Sequence, residues 1–397
     1  MRINRDANVL VMGQHLTSRT EALRDFLLPH VNNLYVIGLG SVFLHKLENH
    51  LFCYEDSSLK RHILFSHPRI GRVNVYSLKV LSSFLSYLCD ILKSLFLLRK
   101  KYDLCIGISR FSGFIAACLK LLRITKKSIY YSIDYYYPSG KVSWFNRTFL
   151  FISDLAEKFV LSFSDEVWDI TQRISKARSK LRKIKKQSYA HKYSIVPLGY
   201  SNAFFRNKDL AKTEKYSLVF AGVVVEGQGL ELLLDILPEL KKDFPALKIK
   251  IIGTGPFLPL FKEKLKERNA ELFFSFYGFI EDVNRMLEVI SSSAIGVSLW
   301  NEKTNGPNFY FGDPGKTKLY SVCGLPVIVS NKTVYAKVIS NNRCGIAIRY
   351  KHQELLDAIR TLFLDDAKYK EYKANTIKTA RDYCSAEKIF SQVMHSQ

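Results

Sequence analysis

The residues with the clearest chemical purpose lie between Gly312 and Ser330, in the stretch GDPGKTKLYSVCGLPVIVS. A Gly/Pro turn leads into a helix-like segment. A Cys-Gly-Leu-Pro break ends it, and the apolar run Val327-Ile328-Val329 follows. That order reads as a helix feeding a buried parallel strand. The start of the helix carries Gly315, Lys316 and Lys318. The first N–H groups of a helix lack intrahelical partners, and the dipole favours negative charge there. A lysine at that end opposes the dipole, so it calls for an anion beside it. Glycine lets a phosphate approach the backbone. The stretch therefore predicts a nucleotide-diphosphate ligand, with Lys316 as its main contact.

The elements that must position this chemistry are short apolar strands alternating with helices. In the first half, strands are expected near 8–12, 34–38, 103–108, 128–133, 167–170 and 194–196. Helices are expected at 80–101 and 114–122. After a linker at Val196-Pro197-Leu198-Gly199-Tyr200 the pattern restarts. Strands are expected at 216–221, 247–252, 273–277, 294–299, 327–329 and 345–348, with an amphipathic helix at 230–241. Such alternation indicates parallel sheets covered by helices. Ligands in such sheets bind at the carboxyl ends of the strands. Gly222, Gly253 and Gly255 fall at those ends. Each is expected either to let a ligand approach or to serve a plain turn.

The chain has 397 residues, 47% hydrophobic and 24% charged, which predicts a globular protein of two domains. Lys and Arg number 59 against 36 Asp and Glu, a net charge of +23. That excess calls for an anionic partner: nucleic acid, an acidic membrane or a phosphorylated substrate. The run from Arg173 to Lys192 contains no acidic residue. A basic helix of this kind suits anionic lipids, each basic residue contributing about 1 kcal/mol near the surface. Trp144, Phe145, Phe149 and Phe151 are placed to dip into that interface. Nucleic acid is disfavoured, since no recognised binding module accompanies the charge. The seven cysteines are scattered, with no CxxC pair, as for reduced thiols in a cytosolic setting. No signal peptide is visible, and the best membrane-span candidate, 81–98, is interrupted by Asp90 and Lys93. The histidines lack ligand-like companions, so neither a metal site nor a cofactor is expected.

Five segments, taken in order, resemble the GT-B glycosyltransferases, in particular the retaining family-4-like group. They are IVPLGYSNAFF, VFAGVVVEGQGLELLLDILPEL, LKIKIIGTGP, FYGFIEDVNRML and PGKTKLYSVCGLPVI. The last is similar to that group's P-x-K-x-x-E-Y-x-x-x-G-x-P-V-I segment. The resemblance implies two Rossmann-like doubly wound domains facing across a cleft. An acceptor-binding domain would span 1–197 and a donor-binding domain 198–375, with a C-terminal helix at 376–397 packing back toward the first. It implies a nucleoside-diphosphate-sugar donor held by Gly222, Gly253, Gly255, Gly315, Lys316, Lys318 and Tyr320. It implies a lipid-linked or polysaccharide acceptor, retention of configuration and no obligatory metal. The chain contains no Asp-x-Asp motif. The site would lie on the cytoplasmic face of a membrane.

Glycosyl transfer passes through an oxocarbenium-like state that a carboxylate stabilises. Asp313 is a candidate for that role or for donor hydroxyls; its alternative is helix capping. Asp134, beside Tyr135, is a candidate to orient or deprotonate an acceptor hydroxyl, or else a turn residue. His15 follows the first strand and could meet donor phosphate or acceptor. Arg110 is placed to bind an acceptor phosphate, and Tyr135 to stack on a sugar. The group's paired glutamates are absent. The earlier position falls on Phe311 or Gly312 and the later on Leu319 or Tyr320. Its usual basic residues near the first glycine fall near Val223 and Gln228. These departures keep a non-catalytic partner subunit and a nucleotide-sugar epimerase open as alternatives.

Overall fold

Runs such as Val9-Leu10-Val11-Met12 carry no polar alternation. In the computed structural model they form strands buried on both faces, as parallel strands between helix layers must be. The structure describes residues 3–14, 18–40, 47–67, 76–135, 144–208, 213–305 and 308–394. The chain divides into two compact units, the first made of 1–135, 140–201 and 386–397, the second chiefly of 202–385.

The first unit holds strands β1 (Asn8–Gln14), β2 (Asn33–Leu39), β3 (Leu47–Glu55), β4 (Ser58–His67), β5 (Tyr102–Ile108), β6 (Thr125–Ser132), β7 (Glu166–Asp169) and β8 (Tyr193–Ile195). They form one sheet in the order β4-β3-β2-β1-β5-β6-β7-β8. All neighbours are parallel except the β2–β3 and β3–β4 pairs. That antiparallel hairpin is absent from the expected pattern. Its outer strand, SLKRHILFSH, is largely exposed and basic, a composition that protects a sheet edge from further pairing.

Helices Tyr76–Leu98, Arg110–Leu121, Trp144–Phe163 and Gln172–Arg182 lie side by side on the sheet. Phe84 meets Phe111, Phe114 meets Phe159, and Glu157 meets Arg178. The helix Ala386–Met394 completes this unit from the far end of the chain. Its Phe390 packs on Phe26, Tyr131 and Trp168. The expected single helix over 376–397 is two pieces, because Asp366–Tyr383 stays with the second unit.

The second unit holds β9 (Ser217–Ala221), β10 (Lys248–Ile252), β11 (Phe274–Gly278), β12 (Ile295–Ser298), β13 (Val327–Ser330) and β14 (Gly345–Ile348). Every pair is parallel, in the order β11-β10-β9-β12-β13-β14. That is the doubly wound Rossmann order, whose direction reverses between β9 and β12. The helix expected at 230–241 is broken into Leu230–Asp235 and Leu237–Asp243. Pro238 sits in the first turn of the second piece, where a missing N–H does no harm.

Candidate functional site

The reversal point of the second sheet is where this fold can hold a ligand, and the helix Gly315–Val322 begins there. Its inward residues anchor it to the two central strands. Thr317 Oγ1 donates to Ser298 Oγ, at the end of β12, at 2.8 Å. Tyr320 is fully buried, and its hydroxyl accepts the Ala221 N–H at 2.7 Å. Lys318 and Asp313 form a buried ion pair at 2.5 Å. Three of the expected ligand contacts therefore face inward. Tyr320 ties the helix to the end of β9 rather than meeting a donor. Asp313 and Lys318 satisfy each other's charge, which pins the turn that starts the helix.

Lys316 differs from these. It is half-buried, and its side chain lies over the backbone of Gly222. A Cβ at Gly222 would stand 2.7 Å from Lys316 Cε, and Gly222 has φ +145°. The glycine is required for the lysine to lie there. The ammonium sits 4.0 Å from the Phe220 ring centroid and 5.4 Å from that of Trp300. It donates to Gln228 Oε1. Among the described residues no carboxylate pairs with it, and burial pulls its pKa down to about 7. A cation so placed, at a helix N-terminus and against two aromatic faces, has room for an anion's charge.

The surrounding loops are tied together. Asn301 N–H donates to Gly227 O at 2.7 Å, joining the loop after β12 to the loop after β9. Trp300 stacks on Phe309 with ring centroids 6.1 Å apart. Gly253, at φ +121°, would place a Cβ 2.0 Å from Gly222 O, and Gly255 would place one 2.2 Å from Val224 O. These two glycines allow the β9 and β10 loops to touch. Gly222 N–H reaches Ile252 O, Val224 N–H reaches Thr254 O, and Gly253 N–H reaches Gly278 O. Their requirement is backbone against backbone. Gly315 occupies the first helical position, after the N-cap Pro314.

The first unit brings part of its expected set together. Arg110 stands at the carboxyl end of β5 and pairs with Glu157 at 3.0 Å. Glu157 also accepts from Arg178 at 2.8 Å, and Arg178 donates to Asp169 at 2.8 Å, all three fully buried. Burial raises the Asp169 carboxyl to about 6 despite its arginine partner. Tyr135 is buried, and its hydroxyl accepts from Arg182 Nε at 2.9 Å. Its ring is therefore packed inside the unit rather than offered for stacking. Asp134 next to it is exposed. His15 lies outside the described residues, as do the side chains of Trp144, Phe145 and Phe149.

The basic run is only partly a surface. Arg178 is its most buried cation, Arg182 pairs with Asp154, and Lys192 donates to the carbonyls of Ser162 and Ser164. Lys176, Lys180, Lys183 and Lys185 are exposed. Among the described residues no cluster of His, Cys, Asp or Glu could hold a metal ion.

Sequence reasoning missed Phe220, Gln228 and Trp300 as the neighbours of Lys316. Trp300 carried a usable signal, since it ends the apolar run Ala294–Leu299 at the carboxyl end of a strand. The anchoring role of Tyr320 is testable. Tyr320→Phe leaves the buried Ala221 N–H without its acceptor, a cost of about 1–3 kcal/mol. The expected result is a lower urea midpoint with an unchanged denaturant slope.

Residues 215–365 match the family model described as Glycosyl transferases group 1. The chain is 26% identical over 166 residues to chitobiosyldiphosphodolichol beta-mannosyltransferase of Yarrowia lipolytica, covering 39% of this chain and 33% of that relative. The chain thus matches about a third of the length of that curated relative. HepE of Anabaena, solved with UDP-glucose, superposes with a TM-score of 0.66 at 13% identity, covering 98% of this chain and 99% of HepE. Sucrose-phosphate synthase of Thermosynechococcus elongatus gives 0.65 at 14% identity, covering 98% and 100%. At such identities the likeness establishes the fold, which is GT-B. The residues matched by the family model fall within the second unit.

Proposed function

We propose that this GT-B chain transfers a sugar from a nucleoside-diphosphate sugar, held by its second unit, to a lipid-linked or polysaccharide acceptor. The observation that carries the proposal is Lys316, a half-buried ammonium with no carboxylate partner among the described residues, at a helix N-terminus beside Gly222. The donor's diphosphate supplies the missing negative charge. As the glycosidic bond breaks, charge grows on the leaving diphosphate, and an ammonium fixed in advance stabilises it. In this reading Lys316 and the helix N-terminus do that work without a metal.

HepE, whose structure was solved with UDP-glucose, supports a nucleotide-sugar donor. The mannosyltransferase relative, whose name contains a diphosphodolichol, supports a lipid-linked acceptor. Arg110 and Asp134, at the carboxyl ends of neighbouring strands of the first sheet, are proposed to meet that acceptor. Asp313 and His15 remain candidates for the reacting centre. For Asp313 that role requires release from Lys318. We propose transfer with retention. The relative's name specifies a β-mannosyl product, so proton NMR of the anomeric signal is the decisive check. Inverted configuration would remove the retaining assignment and leave the donor site intact.

The first experiment is thermal unfolding with UDP, GDP and their sugars. A ligand at 100 times its Kd adds about 2.7 kcal/mol. Stabilisation by one base series identifies the donor; no shift with any removes the transferase reading. A second reading, a non-catalytic GT-B partner subunit, is favoured by one observation. The expected glutamate positions carry no acid, and the nearest carboxylate, Asp313, is bound to Lys318. It predicts that no nucleoside diphosphate stabilises the chain and that no sugar is turned over.

A further inference from the structure

A surface helix normally turns its apolar face inward and its polar face to water. The helix Tyr76–Leu98 is apolar on both: Tyr87 and Ile91 are buried against the sheet, and further leucines and a phenylalanine face outward. Its single acid, Asp90, is fully buried and accepts from Asn49 at 2.8 Å, with His67 Nε2 at 2.5 Å. Leu85, Leu88, Leu92 and Phe96 recur at helical spacing on the outside, and Phe96 is 67% exposed. The neighbouring helix Arg110–Leu121 ends in exposed Leu121, followed by Leu122, 69% exposed. Beyond it, Trp144–Phe163 presents Phe151 and Ile152, at 63% and 60%, with Leu155 one turn on. Side-by-side packing of these helices, through Phe84–Phe111 and Phe114–Phe159, puts all three apolar edges on one side of the first unit.

The rim of this face is cationic. Lys93, Lys100, Lys101 and Arg123 are exposed around it, and the Arg99 guanidinium lies 4.8 Å from the Phe96 ring centroid. On the far side, the helix Gln172–Arg182 adds exposed Lys176 and Lys180. The acids nearby are engaged: Glu157 with Arg178, Asp154 with Arg182, Asp103 with Lys126. Among the described residues no helix is long and apolar enough to cross a membrane.

We propose that this three-helix face is a docking surface for an anionic membrane, entered to the depth of one leaflet's headgroup boundary. An apolar centre with a basic rim matches a lipid surface, where leucine and phenylalanine enter the acyl boundary and lysine meets the headgroups. A second copy of the chain fits poorly, since a two-fold contact would set one cationic rim against another. The proposal moves the membrane contact from the basic run 173–192 to the leucine and phenylalanine helices, leaving that run as one edge. It rests on no part of the donor-site reading.

The test is flotation of the full chain with phosphatidylcholine vesicles, with and without phosphatidylglycerol. Wild type should bind, and more strongly to the acidic vesicles. The variant Leu92→Gln/Phe96→Gln/Ile152→Gln should lose about tenfold or more in partitioning to both kinds. Lys100→Gln/Lys101→Gln should lose only the preference for acidic lipid. Circular dichroism and melting temperature should match wild type, because every substituted side chain is exposed. Three results would overturn the proposal. They are no binding by wild type at low salt, unchanged binding by the triple variant, or a lipid-free dimer that the triple variant dissolves.

Discussion

Lys316→Met should weaken binding of the nucleotide sugar by about 10- to 150-fold, the equivalent of about 1.5–3 kcal/mol for a hydrogen bond to a charged group. Methionine keeps the length of the side chain and its contact with Gly222, Phe220 and Trp300, so the loss reports charge. The pH dependence is equally diagnostic. Burial holds the free ammonium near 7, below its ordinary 10.5. A bound diphosphate favours the protonated form and raises that value. Below about pH 7 the free site is already charged, and affinity is flat. Above it, binding draws in a proton, and affinity falls by up to tenfold per pH unit until the raised value is reached.

The same shift acts on the ligand-free fold with a definite sign. The folded pKa lies below the unfolded one, so between about pH 7 and 10.5 the unfolded chain holds more protons. Stability from this group therefore rises with pH across that window. In Lys316→Met the rise disappears, and the ligand-free variant should melt higher than wild type near pH 7. Calorimetry with a UDP-sugar or GDP-sugar in buffers of different ionisation enthalpy measures the proton uptake directly. Equal affinity in wild type and variant at every pH would show that no diphosphate meets this lysine.

The second large effect belongs to Gly253→Ala. The position has φ +121°, and its Cβ would stand 2.0 Å from the carbonyl oxygen of Gly222. Strain of this backbone type costs about 1–3 kcal/mol, and forcing apart packed backbone costs about as much again. The expected sum is about 3 kcal/mol or more in urea denaturation. Gly278→Ala is the control: φ is +64°, but nothing lies within 4 Å of the added carbon. It should cost only about 1–2 kcal/mol. Equal losses at the two positions would mean that the β9 and β10 loops yield to the intruding methyl.

The six strands of the second sheet were legible as apolar runs, because strands buried on both faces cannot hide a polar alternation. Lys316 stands out in the sequence because a cation against the helix dipole calls for an anion; the structure shows it over Gly222, among Phe220, Gln228 and Trp300. Its neighbours on the same helix were misread for the opposite cause. The partner of Tyr320 is Ala221, 99 positions away, and no local spacing announces it. The buried state of Arg178 depends on Glu157 and Asp169 meeting across three elements. In a run of cations its side chain is indistinguishable from a solvated one. The hairpin of β3 and β4 was missed because its outer strand is exposed and basic, as a solvated loop is.

The segment from Asn202 to Ser385 leaves the first unit and returns to it at nearly one spot: Ala386 N–H bonds Tyr200 O at 3.0 Å, and Gly199 has no room for a Cβ against Ala386. The first unit is thus interrupted by the second and completed only by the helix Ala386–Met394, whose Phe390 covers Tyr131 and Trp168. During synthesis the order of birth and the order of completion are reversed. The later-made unit needs no residue beyond Ser385 to close. The earlier-made one waits, with those aromatic rings uncovered, for the helix Ala386–Met394. A chain stopped short of Ala386 would carry a finished second unit and a first unit lacking its closing piece.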